Sequence, residues 1–190
     1  MKKILIIAFV LMLSMTIAKC SKRDGERILA SCNPSGFLNG NSHKCNQEHD
    51  SDCCRSGVRY PQYKCSPRVK EKTPATLTLN GFDRNEDGGG AAACDGKFHK
   101  DSDLVVALST GWYAGGSRCN SFIKIGNPHN GRTVRAMVVD ECDSFSGCDN
   151  DHEHQPPCKN NIVDASLGVW KALGVHGKDA GLMSITWSDA

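Results

Sequence analysis

Hydrophobic and polar positions alternate most clearly along Thr133-Val-Arg-Ala-Met-Val-Val-Asp-Glu-Cys142. Period two places Val134, Ala136, Val138 and then Asp140 on one face of a strand. Met137 and Val139 occupy the opposite face and are also apolar, so the pattern predicts a strand buried on both sides. The run from Asn160 to Gly174 predicts a short helix. Asp164 or Ser166 can cap it, Leu167, Trp170 and Leu173 fall at i, i+3 and i+6, and Gly174 ends it. Further strands are expected over 75–80 (ATLTLN), 105–110, 122–125 and 182–187, with a turn-rich loop at 83–90 and a turn at Asn130-Gly131. Five or six short strands around one helix fit a closed barrel better than a sandwich.

The N-terminus adds a compartment. Lys2 and Lys3 precede an apolar run from Ile4 to Met15, and Thr16, Ala18 and Cys20 are small residues suited to cleavage, which predicts a signal peptide over 1–20. That run is shorter than the roughly 20 residues needed to span a bilayer. Residues 21–31 are polar without pattern and are expected to be a flexible start. Loss of Lys2, Lys3 and Lys19 takes Lys+Arg from 23 to 20 against 21 Asp+Glu, so the formal charge moves from +2 to −1. No basic face then argues for nucleic acid. After the signal is removed, no membrane attachment is expected either. N-glycosylation is not expected, because no N-x-S/T sequon occurs.

Eleven cysteines in 190 residues imply disulfides, and loss of Cys20 would leave an even ten. Cys32, Cys45, Cys53, Cys54 and Cys65 lie in a segment (32–70) too poor in apolar residues to hold itself by core burial. Adjacent Cys53 and Cys54 must go to different partners. The other five, Cys94, Cys119, Cys142, Cys148 and Cys158, lie in the expected barrel region, 71–190. If all ten pair, an odd number of bridges joins the two segments into one covalent body. The first five are spaced like five of the six cysteines of a knottin. That resemblance implies Cys32–Cys54, Cys45–Cys65 and Cys53–Cys94, leaving Cys119–Cys142 and Cys148–Cys158.

A strand ending in Asp-x-Cys, a cysteine-rich acidic loop, and Val-Asp-Ala-Ser before a helix resemble the core of a six-stranded double-psi β-barrel. This is the fold of barwin, expansin first domains and one group of inverting endoglucanases. The runs CNQEHDSDCC, the GGG before Cys94, VVALSTGW, MVVDECDS, QPPCKNNIVDAS and ITWSDA resemble the kiwellin and plant ripening-related family over residues 32 to 190. The likeness is to its shorter members, without an additional N-terminal cysteine-rich module. It implies a mainly β, secreted, apoplastic defence or ripening protein that is monomeric, non-enzymatic and without cofactor. It also implies a partner: an enzyme secreted by a pathogen, such as a chorismate mutase, which the protein binds and inhibits.

Candidate chemistry is weighed residue by residue. The related endoglucanases use two carboxylates about 6.5–9.5 Å apart. Asp164 matches the Asp of their His-Phe-Asp-Leu motif, here Asn161-Ile-Val-Asp164, without the His. Where their other aspartate lies on the first strand, this chain has Thr78-Leu-Asn80 and no aspartate in register, with Asp83 three residues later. Asp140 and Asp164 could form an acid/base pair in a groove that cleaves or binds cell-wall polysaccharide. The structural roles are expected instead: Asp140 bonded to backbone, Asp164 capping the helix. Asp83-x-Asn85-x-Asp87-Gly88 opens like a calcium loop, but its twelfth position is Cys94, so no metal is expected. Asp149, Asp151, His152, Glu153 and His154 form an acidic loop between Cys148 and Cys158, a candidate binding surface. Trp112, Tyr113 and Arg118 could anchor a partner, stack on sugars, or pack the barrel end.

Overall fold

Strands with one apolar face each must bury it, and closure into a barrel does so without leaving an open edge. The computed structural model describes residues 32–176 and 179–190. The signal peptide and flexible start expected over 1–31 lie outside these residues. In chain order, β1 (Gly36–Asn39) and β2 (Arg59–Gln62) form an antiparallel hairpin. The barrel is built from β3 (Thr73–Leu79), β4 (Val105–Ser109), β5 (Phe122–Gly126), β6 (Thr133–Cys142), β7 (Ile162–Ala165) and β8 (Leu182–Asp189). Helix α1 (Thr110–Tyr113) follows β4 directly, and α2 (Leu167–Ala172) follows β7. The barrel closes in the order β3-β7-β4-β6-β5-β8, with β3/β7 and β4/β6 parallel and the other pairs antiparallel. The fold is a mainly β, six-stranded double-psi barrel.

Alternate residues fill its interior: Leu77 of β3, Val106 and Leu108 of β4, Ile123 and Ile125 of β5, Val134, Ala136 and Val138 of β6, Val163 and Ala165 of β7, and Ile185 and Trp187 of β8. Trp170 of α2 joins this core and donates from Nε1 to the Thr78 carbonyl at 3.1 Å. The helix begins at Ser166, whose Oγ accepts from the Val169 N–H, and the chain leaves it at Gly174, with φ +79°.

Two expectations are corrected here. Ile162-Val-Asp-Ala165 is a strand, not the opening of the helix, so Asp164 is no cap. It pairs in parallel with β3 and antiparallel with β4, a long-range pairing that overrides the local helical pattern. Asp140 also does not continue the face of Val134, Ala136 and Val138. Val106 pairs with Val138 but Ala107 pairs with Asp140, so Val139 is an extra residue in a β-bulge. Val138 packs in the barrel, Val139 packs outside it with Phe82, Ala92, Val105 and Ala107, and Asp140 emerges on that outer face.

Among the described residues five disulfides form: Cys32–Cys65, Cys45–Cys53, Cys54–Cys148, Cys94–Cys119 and Cys142–Cys158. None of the pairs implied by knottin order occurs, because local geometry decides otherwise. Gly36 pairs with Gln62 in the hairpin, so Cys32 comes opposite Cys65 just beyond its open end. Cys45 and Cys53 close a short loop through the 3-10 turn Glu48–Asp50. Cys94 and Cys119 flank β6, held by Cys94 N–H to Val139 carbonyl and Asn120 N–H to Val138 carbonyl. Among the described residues, Cys54–Cys148 is the single bridge between the segments before and after residue 70, and Cys32–Ala190 forms one compact unit.

Candidate functional site

Four residues lie in register across the outer face of the barrel: Asp140 on β6, Ala107 on β4, Asp164 on β7 and Thr78 on β3. Asp140 and Asp164 are each direct partners of Ala107. Their backbones are therefore about 10 Å apart, two strand spacings. Ala107 projects only a methyl group between them, which leaves the floor of a groove open. The groove has a volume of about 380 Å³, walled by the 87–93 loop and by the acidic loop that precedes Cys158. Beyond Asp164 and the Cys142–Cys158 bridge it continues into a second recess of about 700 Å³, which includes Thr76, Ile162, Pro157 and Leu182.

Burial raises the carboxyl pKa of both aspartates. Asp140 is raised even though its Oδ1 accepts from the Ala93 N–H at 2.9 Å and the Glu141 N–H at 2.8 Å. Asp164 is pushed up to about 7 by desolvation, with the negative charges of Asp87 and Asp140 acting in the same direction. Its Oδ1 accepts from the Thr78 hydroxyl, and its Oδ2 lies 3.8 Å from Cys142 Sγ. Burial also raises Glu141, whose Oε1 accepts from the Thr110 hydroxyl at 2.6 Å. Asp143 goes the other way: burial opposes its charge, but the N–H groups of Ser146 and Phe145 hold its carboxyl below the usual range.

The acidic loop is fastened at several points. Cys142–Cys158 closes its base, and Cys54–Cys148 pins its middle. His152 sits between carboxylates, with Nδ1 2.6 Å from Asp149 and Nε2 3.4 Å from Asp143. Burial disfavours the charged ring, but Asp149 and Asp143 outweigh it and raise its pKa. His154 stacks on His43 with ring centroids 4.5 Å apart. Asp149, Asp151 and Glu153 remain exposed.

Asp87 is 5% exposed, and its oxygens accept from His49 Nδ1, the Ser51 hydroxyl and the Gly81 N–H. It thus ties the cysteine-rich segment to the barrel, a role that demands inward-facing oxygens rather than a ligand shell. Trp112 is 1% exposed, donates from Nε1 to the Pro67 carbonyl and meets Trp187 edge to face. Tyr113 is buried beside Cys119. Arg118 binds Asp189 and the Trp112 carbonyl. These three pack the barrel and do not form an open patch with the acidic loop. Thr78, Ala107, Glu141 and Asp143 were not singled out from sequence. Thr78 and Ala107 carry the outward phase of their strands, a signal visible only once the barrel register is known.

The closed barrel and the groove on its outer face define a double-psi barrel protein whose groove wall is held by disulfides. A family model described as Kiwellin-1 matches residues 7–190. Putative ripening-related protein 2 of Oryza sativa subsp. japonica is 54% identical over 169 residues, 88% of this chain and 84% of that one. Kiwellin of Actinidia chinensis var. chinensis is 50% identical over 159 residues, 84% of this chain and 67% of its own. The chain belongs to the kiwellin and ripening-related protein family. Among solved structures, a Clavibacter michiganensis expansin matches 63% of this chain and 50% of its own at 23% identity and TM-score 0.45. A Streptomyces papain inhibitor matches 63% of this chain and 94% of its own at 22% identity and TM-score 0.42.

Proposed function

We propose that this is a secreted, non-catalytic plant defence protein that binds and blocks a protein secreted by a pathogen, with a chorismate mutase as the first target to test. Five disulfides suit an oxidising extracellular compartment. The observation that carries the reading is the fastened acidic loop beside the groove, which presents Asp149, Asp151 and Glu153 on a rigid frame. Such a surface loses little conformational entropy on docking and can occlude a partner sterically. Titration calorimetry against secreted chorismate mutase, run beside an assay of its activity, tests this. One-to-one binding with inhibition is expected, and Asp151→Lys with Glu153→Lys should weaken it by about tenfold or more. Unchanged affinity in that double variant would remove the loop from the interface.

A second reading, polysaccharide hydrolysis, is favoured by one observation: two pKa-raised aspartates flank an open groove at two-strand spacing. Against it, no Trp, Tyr or Phe side chain lines either recess among the described residues, so a sugar ring lacks the usual stacking platform there. Reducing-end release from β-glucans and xyloglucan that disappears in Asp164→Asn would make this reading the correct one.

A further inference from the structure

The Cys142–Cys158 bridge differs from the other four in what surrounds it. Both sulfurs belong to residues that line the groove and the recess beyond it, so a small thiol entering from either side meets the bridge. Cys54–Cys148, by contrast, joins residues only 1% and 8% exposed, and Cys65 of Cys32–Cys65 is open to bulk solvent rather than set in a recess. Asp164 Oδ2 lies 3.8 Å from Cys142 Sγ, with the carboxyl oriented by the Thr78 hydroxyl on its other oxygen. A disulfide sulfur carries no proton, so this contact is not a donor bond to the carboxylate. It becomes a hydrogen bond only when the bridge is opened and the thiol donates, or when the carboxyl is protonated and itself donates to the sulfur.

We propose that Cys142–Cys158 is a reducible bridge, opened by thiol–disulfide exchange with an external dithiol, and that Asp164 is the proton donor to the Cys142 sulfur. In the first step an external thiolate attacks Cys158 Sγ. A mixed disulfide forms there, the Cys142–Cys158 bond breaks, and the electron pair leaves on Cys142 Sγ. Asp164 passes its proton to that sulfur, leaving a Cys142 thiol and an Asp164 carboxylate, now joined by an S–H to Oδ2 hydrogen bond. The second thiol of the reductant then attacks the mixed disulfide at its own sulfur, releasing Cys158 and an oxidised, cyclised dithiol. A poor thiolate leaving group is the slow feature of such exchange, and a positioned acid offsets it. The carboxyl suits this role, because its pKa of about 7 keeps it substantially protonated at neutral pH, where an ordinary aspartate is fully ionised.

The architecture also makes the opening reversible. Cys148 stays tethered to Cys54 when Cys142 and Cys158 part, so the groove wall loosens without release of the loop. The two thiols remain at high effective concentration and re-form the bridge on oxidation. This inference does not depend on what the groove binds.

The test is limited reduction of the folded, fully oxidised protein with dithiothreitol, followed by alkylation and peptide mass spectrometry to time each bridge. Cys142–Cys158 is expected to open at least about tenfold faster than the buried Cys54–Cys148, with the exposed Cys32–Cys65 timed separately, and Asp164→Asn should slow Cys142–Cys158 alone about tenfold. Asp87, Asp140, Glu141, Asp143, Asp151, Glu153 and His152 also line the groove, and His49, Asp52, Lys159 and Asp179 the recess. The wild-type rate per attacking thiolate is therefore divided by that of Asp164→Asn at each pH. This ratio should fall towards one as pH rises past 7. Opening of Cys54–Cys148 before Cys142–Cys158 overturns the proposal, and so does a ratio that stays flat with pH. Should Asp164→Asn fail to fold, the wild-type rate per thiolate alone must fall through the same pH range, and constancy there is equally fatal.

Discussion

Replacing Asp164 by Asn should stabilise the protein at alkaline pH and do little in acid. Its carboxyl rises from an ordinary 3.8 to about 7 on folding, because desolvation disfavours the charge. The folded state therefore binds the proton more tightly than the unfolded chain does. The stabilisation from that proton is complete below pH 3.8 and is lost as pH rises through 7. At 1.36 kcal/mol per tenfold change in proton affinity, the rise from 3.8 to about 7 gives an upper bound of about 4 kcal/mol. Solvent in the open groove screens part of this, so a gain of about 1–3 kcal/mol in Asp164→Asn at pH 8 is the working figure. Asn keeps the acceptor for the Thr78 hydroxyl and the shape of the side chain, so little else changes. Guanidinium unfolding with disulfides intact, at pH 4 and pH 8, reads the difference. With a guanidinium slope of about 2–6 kcal/mol/M, the midpoint should move up by roughly half a molar at pH 8 and hardly at pH 4. Titration of other groups is common to both proteins and cancels. Equal gaps at the two pH values, or a loss of stability at pH 8, would refute the assignment of a buried, destabilising carboxylate.

Asp87→Ala strands three donors, His49 Nδ1, the Ser51 hydroxyl and the Gly81 N–H, so a loss of about 3 kcal/mol is expected. Thermal unfolding and faster proteolysis between residues 43 and 53 would report it. Gly111→Ala would drive a Cβ into the backbone of Cys65 and Ser66, displacing the strap whose Pro67 carbonyl receives Trp112 Nε1. A cost of about 2–3 kcal/mol is expected, against less than about 0.5 for Gly90→Ala, where a Cβ meets nothing within 4 Å. His152 has a raised pKa, so its contribution is fully present below 6.5 and is lost as pH rises through the raised value. Amide exchange over 149–155, corrected for its intrinsic pH dependence, should be faster at pH 8 than at pH 5.5, and this difference should vanish in His152→Ala.

The barrel was legible because its strands are short, β-branched and phased by two. Residues 105–110, 122–125 and 133–142 read as strands from local pattern alone. Ile162-Val-Asp-Ala165 was misread because four residues before a helix cap carry too little pattern to separate a strand from a helical turn. The β1/β2 hairpin escaped for a related reason: its strands pair across a connection of nineteen residues, Gly40 to Val58, with few β-formers. Disulfide pairing depends on which loops approach in space, and knottin order contains no information about the hairpin that places Cys32 opposite Cys65. Asp140 and Asp164 were recognisable as chemistry-bearing, but their relation runs through Ala107, a residue without any polar group to draw notice.

The groove is a consequence of where the barrel departs from regularity. Without the extra residue at Val139, Asp140 would point into the apolar interior, where an isolated carboxylate is costly and only a protonated or paired one persists. The bulge turns it outward onto Ala107, while the interior phase of Val134, Ala136 and Val138 stays intact. On the outer face a small apolar cluster of Phe82, Ala92, Val105, Ala107 and Val139 packs beside the raised-pKa carboxyls, but none of its residues comes from the acidic loop. Covalent links hold that loop instead, and Cys142–Cys158 and Cys54–Cys148 fix it where this cluster does not. The same choice makes the wall of the groove sensitive to chemistry that a hydrophobic wall would ignore, namely the protonation of Asp164 and the oxidation state of the sulfur beside it.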